Sequence, residues 1–283
     1  MVPSSNGTMP THFNPLGIDL LSRNLREEMD GRPRVPLGEV KRFMGAGLYA
    51  LYYKGDLEIY KELKDSDCPI YVGKAAAGNS SYGDSPNLTE PKLFERINDH
   101  RRSINEAPNL GASNFDVRYL TLDDIWIVLG ERALLRTHSP VLWNTVMTGF
   151  GANPPGGGRR NARSVWDSIH PGRQRAANLL CNRSYSRNEM RKLISDGIKI
   201  SLMPASPQRD HKLSELRNRP VKTIWQEAKG SGGASKPVHV FREEVFLEEN
   251  SHFGVDTDTI NWMSMETPEQ ESSPTVTLDT VED

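Results

Sequence analysis

The runs Gly45-Ala46-Gly47-Leu48-Tyr49-Ala50-Leu51-Tyr52-Tyr53 and Pro69-Ile70-Tyr71-Val72-Gly73-Lys74 are short, aromatic or β-branched, and bounded by Gly or Pro. That pattern predicts two strands of one sheet, joined by the charged connection Lys54 to Asp67, itself a loop or short helix. Side chains alternate along a strand, so Tyr49, Leu51 and Tyr53 share one face of the first, and Tyr71 and Gly73 share one face of the second. Where those faces coincide, two phenols lie beside a glycine that leaves room for a ligand at the backbone. A sheet merely packed with aromatics has the same pattern, so the function rests on what accompanies it.

Upstream, Ile18, Leu21, Leu25 and Met29 recur at helical spacing and predict an amphipathic helix that Gly31 and Pro33 end. Downstream, Ala75 to Pro91 is rich in Gly, Ser, Asn and Pro, which predicts a long surface loop suited to binding or simply a disordered connection. A helix follows, striped by Leu93, Ile97 and Ile104, with Arg96, His100, Arg101 and Arg102 on the neighbouring surface. Arg96 and His100 are four apart and therefore stack on one side. Phe115, Val117 and Tyr119 alternate with polar residues and predict a third strand.

Thr121, with Asp124 three residues on, predicts a helix start, and the helix runs to His138 and stops before Pro140. Inside it, Glu131 has Ile127, Val128, Leu134 and Leu135 as its helical neighbours. A carboxylate so placed is costly unless a cation compensates it, which singles Glu131 out. Pro140-Val141-Leu142-Trp143-Asn144 is an apolar cluster ending in one amide.

Residues 148 to 175 are glycine-rich and then basic, with Gly149-Phe150-Gly151, Gly156-Gly157-Gly158-Arg159-Arg160, Arg163 and His170-Pro171-Gly172-Arg173. No Gly-Lys-Ser/Thr follows the glycines, so no nucleotide cofactor is expected. Bare backbone amides beside arginines suit a phosphodiester backbone, and a flexible linker has the same composition. One or two basic helices are expected over residues 175 to 200. Beyond them come the linker-like Lys229 to Ser235, a candidate edge strand at Val238 to Leu247, and the acidic Glu248 to Asp283, expected to be disordered.

The 283 residues, 36% of them hydrophobic, suffice for one substantial core. No apolar run approaches the roughly 18 residues that span a bilayer. Met1 to Phe13 lacks the regions of a signal peptide, and Cys68 and Cys181 form no CxxC pair or metal-ligand spacing, so a cytoplasmic location is expected. The net charge of −2 hides an asymmetry. After Arg242 stand twelve Asp or Glu and no Lys or Arg, which leaves +10 on residues 1 to 242. A basic body with an acidic appendage is the charge plan of a polyanion-binding protein.

Together these residues resemble the signature of the GIY-YIG nuclease superfamily, with Gly47-Leu48-Tyr49 and Tyr71-Val72-Gly73 in place of the two triplets. The family's Arg on the following helix, its Glu on a later helix and an Asn after it correspond to Arg96, Glu131 and Asn144. His100, four residues after the Arg, is similar to the type II restriction endonucleases of that superfamily. Pro69 to Ala75, Leu142-Trp143-Asn144, Gly149-Phe150-Gly151 and Trp166 to Arg173 look like the subgroup that cuts CCGCGG. The likeness spans about residues 43 to 175.

The resemblance implies an α+β fold, a small central antiparallel sheet of about three strands flanked by helices. A nuclease domain is expected over 43–205, and composition and periodicity place an arm and helix (1–42) before it and a linker with a possible edge strand (206–247) and the acidic tail (248–283) after it. The resemblance also implies metal-dependent cleavage of double-stranded DNA by a homodimer on a palindromic G/C-rich site. The expected catalytic set is Tyr49, Tyr71, Lys74, Arg96, His100, Glu131 and Asn144. Within it Glu131 holds one Mg²⁺, Arg96 clamps the phosphate and Tyr49 is the general base. Lys74, His100 and the ion are expected to lower the Tyr49 pKa, Tyr71 to orient water or phosphate, and Asn144 to support the Glu131 region. DNA contacts are expected from Arg101, Arg102, Arg159, Arg160, Arg163 and Arg173. A repair or homing nuclease, or a silent DNA-binding protein on the same scaffold, remains the alternative.

Overall fold

The structure, a computed structural model, describes residues 18–76, 89–151, 163–176 and 187–219. Its sheet comprises β1 (Val35–Pro36), β2 (Gly47–Tyr53), β3 (Tyr71–Ala75) and β4 (Phe115–Thr121), all antiparallel in the order β1-β4-β2-β3. The three expected strands are present, and β1 adds a fourth of two residues paired with Val117 and Asp116. Central β2 is buried at all seven positions, because both of its edges are paired and both of its faces are covered. At its start Gly47 passes so close to β4 that a Cβ would lie 2.0 Å from the Leu120 carbonyl oxygen.

Helices α1 (Ile18–Gly31) and α3 (Asp124–Thr137) cover one face of the sheet. There Leu25, Met29, Ile127 and Leu134 pack on Leu48, Ala50, Tyr52 and Val72. The other face carries α2 (Lys92–Asn105), α4 (Leu142–Thr145), α5 (Val165–Ile169) and α6 (Arg187–Leu202), around a core that includes Tyr49, Leu51, Tyr53, Leu93, Ile97, Trp143 and Trp166. The molecule is thus an α+β fold with helices on both faces of an antiparallel sheet.

Four expectations are corrected. Thr121 closes β4, and the residue before α3 is Asp123, because pairing of Thr121 with Gly47 outcompetes a cap. His100 is buried on the stripe of α2 with Leu93, Ile97 and Ile104 rather than on the basic surface beside it. Residues 163 to 176 are part of the core. Ser164 caps α5 by accepting from the Asp167 amide at 3.0 Å, and Trp166 and Ile169 are fully buried. Finally, α7 (Pro207–Arg217), capped by Ser206, occupies sequence expected to be linker. The expected strand at Val238 to Leu247 and the acidic tail lie outside the described residues. Among the described residues no helix is long and apolar enough to cross a membrane.

Candidate active site

Register brings the two signature tyrosines together. Tyr49 pairs with Gly73 across β2 and β3, and the Tyr49 ring lies over that glycine so closely that a Cβ there would sit 2.2 Å from its hydroxyl. The space expected for a ligand beside Gly73 is therefore taken by Tyr49 itself. Tyr71, two residues away on the same face, has its ring 6.0 Å from that of Tyr49. From α2, His100 meets both rings, and its Nε2 lies 2.5 Å from the Tyr49 hydroxyl.

Burial dominates the electrostatics. It pushes the Tyr49 phenol well above its ordinary value, with Tyr71 adding to the rise and the Arg96 guanidinium opposing it. It likewise raises Tyr71, again against Arg96. His100 goes the other way, held well below 6.5 by burial and then by Arg96, Arg173 and Arg175. Burial favours the neutral form of each group, so the phenol is protonated and the imidazole uncharged at neutral pH. The expectation that His100 lends positive charge to Tyr49 is corrected. The imidazole is neutral, and the cation beside the phenols is Arg96.

Lys74 and Glu131 sit on the opposite face of the sheet. Lys74 alternates with Gly73 and points towards α3, where its Nζ lies 2.9 Å from Glu131 Oε2. This ion pair is the compensation that Glu131 required among its apolar neighbours. Because β3 is the edge strand, the two faces meet around it, and the Glu131 charge reaches far enough to raise the Tyr71 pKa. Asn144 does not touch Glu131. Its Oδ1 accepts from the Val72 amide and its Nδ2 donates to the Val72 carbonyl, both at 2.9 Å. It occupies the place of a further strand, pinning the edge between Tyr71 and Gly73.

The loop Gly149-Phe150-Gly151 closes the tyrosine side. Gly151 lies against the Tyr71 hydroxyl, where a Cβ would come within 2.0 Å, and its carbonyl accepts from Arg96 Nη2. Phe150 stacks on His100 at 4.5 Å and 24°. Arg173, expected to contact DNA, is buried beneath this loop with its donors bound inside the protein, so that assignment is corrected. Arg101 is half-buried and Arg102 is exposed with an ion pair to Asp99, while Arg163 donates to the Ala176 carbonyl. Arg159 and Arg160 lie outside the described residues. Phe150 and Gly151 are the site residues that strand and helix periodicity did not find. Their only signal is the Gly-Phe-Gly tripeptide.

Two phenols, an imidazole and a guanidinium gathered at the edge of a small mixed sheet, with a carboxylate around that edge, make a site for phosphodiester chemistry. A family model described as the Eco29kI GIY-YIG domain matches residues 41–198, more than half of the chain. The chain belongs to this family of GIY-YIG restriction endonucleases. A search of curated proteins finds no match.

Proposed function

We propose that this protein is a type II restriction endonuclease. It cuts both strands of a palindromic G/C-rich DNA site, CCGCGG or one close to it, as a cytoplasmic homodimer that uses Mg²⁺. The observation that carries the reading is the 2.5 Å contact of the Tyr49 hydroxyl with His100 Nε2 beside the Arg96 guanidinium. Hydrolysis needs a water stripped of its proton and a cation at the phosphoryl oxygens. As Tyr49 takes a proton from the attacking water, its own proton passes to the neutral His100. No free phenolate is required, so the raised Tyr49 pKa is compatible with its role as base.

Arg96 supplies the fork of donors that matches two phosphoryl oxygens. In the unbound protein it holds the Gly151 carbonyl and Tyr49 has no exposed surface. A phosphate competing for Arg96 therefore also frees the way to the phenols. Tyr71, at the outer end of the pair with 8% exposure, orients the water. Glu131 fits a divalent ion, since one carboxylate suffices where waters and phosphate oxygens complete the shell. Bound there, the ion would act as a Lewis acid on the phosphoryl group. Lys74 holds the Glu131 carboxylate in place through their 2.9 Å ion pair. Asn144 acts on β3, and through it on both Tyr71 and Lys74.

A palindromic site calls for a two-fold dimer. Plasmid DNA incubated with the protein and Mg²⁺ tests the reading. Discrete double-strand fragments are expected. Nicks confined to branched structures would favour a repair or homing nuclease, and intact plasmid a silent DNA-binding protein.

A further inference from the structure

Arg173 is 2% exposed, and each nitrogen of its guanidinium donates into the protein. Nε binds Asp167 Oδ1 at 2.5 Å, Nη1 the Phe150 carbonyl at 2.9 Å and Nη2 the Gly149 carbonyl at 3.2 Å. Its Cζ lies 4.4 Å from the centre of the Trp166 ring. Asp167 is fixed in turn by the Ser164 hydroxyl, which donates to Oδ2 at 2.6 Å. An ion pair this deep carries a large desolvation cost, and apolar side chains of equal volume would often fill the space as stably. Apolar side chains would not hold two consecutive carbonyls in one direction. The residue between those carbonyls is Phe150, whose ring stacks on His100 and meets the edge of Tyr71 at 5.0 Å.

We propose that the buried Arg173–Asp167 pair is a positioning device for catalysis, fixing the His100 imidazole through Phe150 in the orientation that accepts the Tyr49 proton. The inference rests on the nuclease reading for its catalytic meaning, while the positioning itself is a property of the folded chain. The groups that face His100 are Tyr49 from β2, Tyr71 from β3, Arg96 on its own helix, and Arg173 and Arg175 from the segment after α5. Arg173 thus acts twice, by geometry through Phe150 and by charge directly. Removing its charge makes protonation of His100 easier.

The test compares wild type with Arg173→Gln, Arg173→Lys and Phe150→Leu. Single-turnover plasmid cleavage is measured between pH 6 and 9, and the His100 imidazole is followed by NMR in the full chain. Arg173→Gln is expected to cut more slowly, with the ratio of its rates at pH 8 and pH 6 raised about threefold or more over wild type. Its His100 should titrate at higher pH. Arg173→Lys, which keeps the charge, should restore the shape of the pH profile. Phe150→Leu keeps the ion pair and should lower the single-turnover rate about tenfold with DNA affinity unchanged. It also covers the case in which Arg173→Gln does not fold.

If the His100 titration and the pH profile of Arg173→Gln superimpose on wild type, or if Phe150→Leu cuts at the wild-type rate, the inference is overturned. If wild type cuts no DNA, the nuclease reading fails, and the NMR titration still decides whether Arg173 and Phe150 position His100.

Discussion

Among the described residues two tyrosine hydroxyls meet a histidine Nε2, Tyr49 with His100 at 2.5 Å and Tyr60 with His170 at 2.6 Å. Both pairs are buried, both phenols are pushed far up and both imidazoles down, so neither burial nor pKa distinguishes them. Their neighbours do. Around Tyr60 and His170 the hydrogen-bonding atoms are met by neutral groups, and the charge that bears on His170 is that of Arg173, itself buried and bound to Asp167. The Trp143 indole donates to the Tyr60 hydroxyl at 3.0 Å, and the Asn109 amide oxygen meets His170 Nδ1 at 3.0 Å. Around Tyr49 and His100 stand Arg96, Tyr71 and, around the strand edge, Glu131. A buried Tyr–His pair is a structural hydrogen bond by default. In the proposed function it becomes a proton relay where a guanidinium and a carboxylate can bring a phosphate to it.

Experiments that separate the two regions should show their largest effect at the carboxylate. Glu131→Ala is expected to lose at least about a thousandfold in cleavage rate, with DNA binding by electrophoretic shift largely retained. Cutting that survives would place the ion elsewhere. His100→Ala should cost about a hundredfold. Combined with Tyr49→Phe it should cost little more than the worse single change, because partners in one transfer are not additive. Two losses that multiply would separate the residues.

At the second pair the effect is on stability and its pH dependence. Burial lowers the His170 pKa from 6.5 to about 3. The unfolded chain therefore binds a proton that the folded one refuses. The stabilisation is complete above pH 6.5 and is lost as pH falls towards 3, at about 1.4 kcal/mol per unit. His138, lowered to about 4 by burial, adds to the same limb. Urea midpoints measured from pH 7 to 4 should fall steeply in wild type and less so in His170→Gln. Parallel curves would mean that His170 is not the group being protonated.

The smallest effect belongs to the surface. Arg101→Ala should reduce the slope of log affinity against log salt by about 0.9 if the side chain meets one phosphate. An unchanged slope removes it from the DNA contact.

Much of this site was legible because strand alternation puts Tyr71 and Gly73 on one face of their strand and Tyr49 on one face of its own, while the register that makes those faces one is a property of the sheet. Helical spacing alone also flags Glu131 as a carboxylate in need of a cation, which Lys74 supplies. His100 was found but misplaced, since a histidine at the third position of an apolar stripe reads as part of the adjacent basic surface. The role of Arg173 was misread for a physical reason. An arginine after Gly-rich sequence has the composition of a phosphate contact, and only the fold reveals Asp167 and two carbonyls waiting for it. Asn144 shows the same limit. Its amide serves Val72 because β3 is an edge, and edge status is a property of the whole sheet.

The most direct measurement compares Tyr49→Phe with Tyr60→Phe in single-turnover cleavage of plasmid DNA with Mg²⁺, alongside their unfolding curves. Tyr49→Phe should lose about 10²–10⁴ in rate while remaining folded. Tyr60→Phe should cut at the wild-type rate and lose about 1–3 kcal/mol of stability, because it strands the Trp143 indole and His170. Wild-type cleavage by Tyr49→Phe, or equal loss in both variants, would contradict the distinction between relay and scaffold.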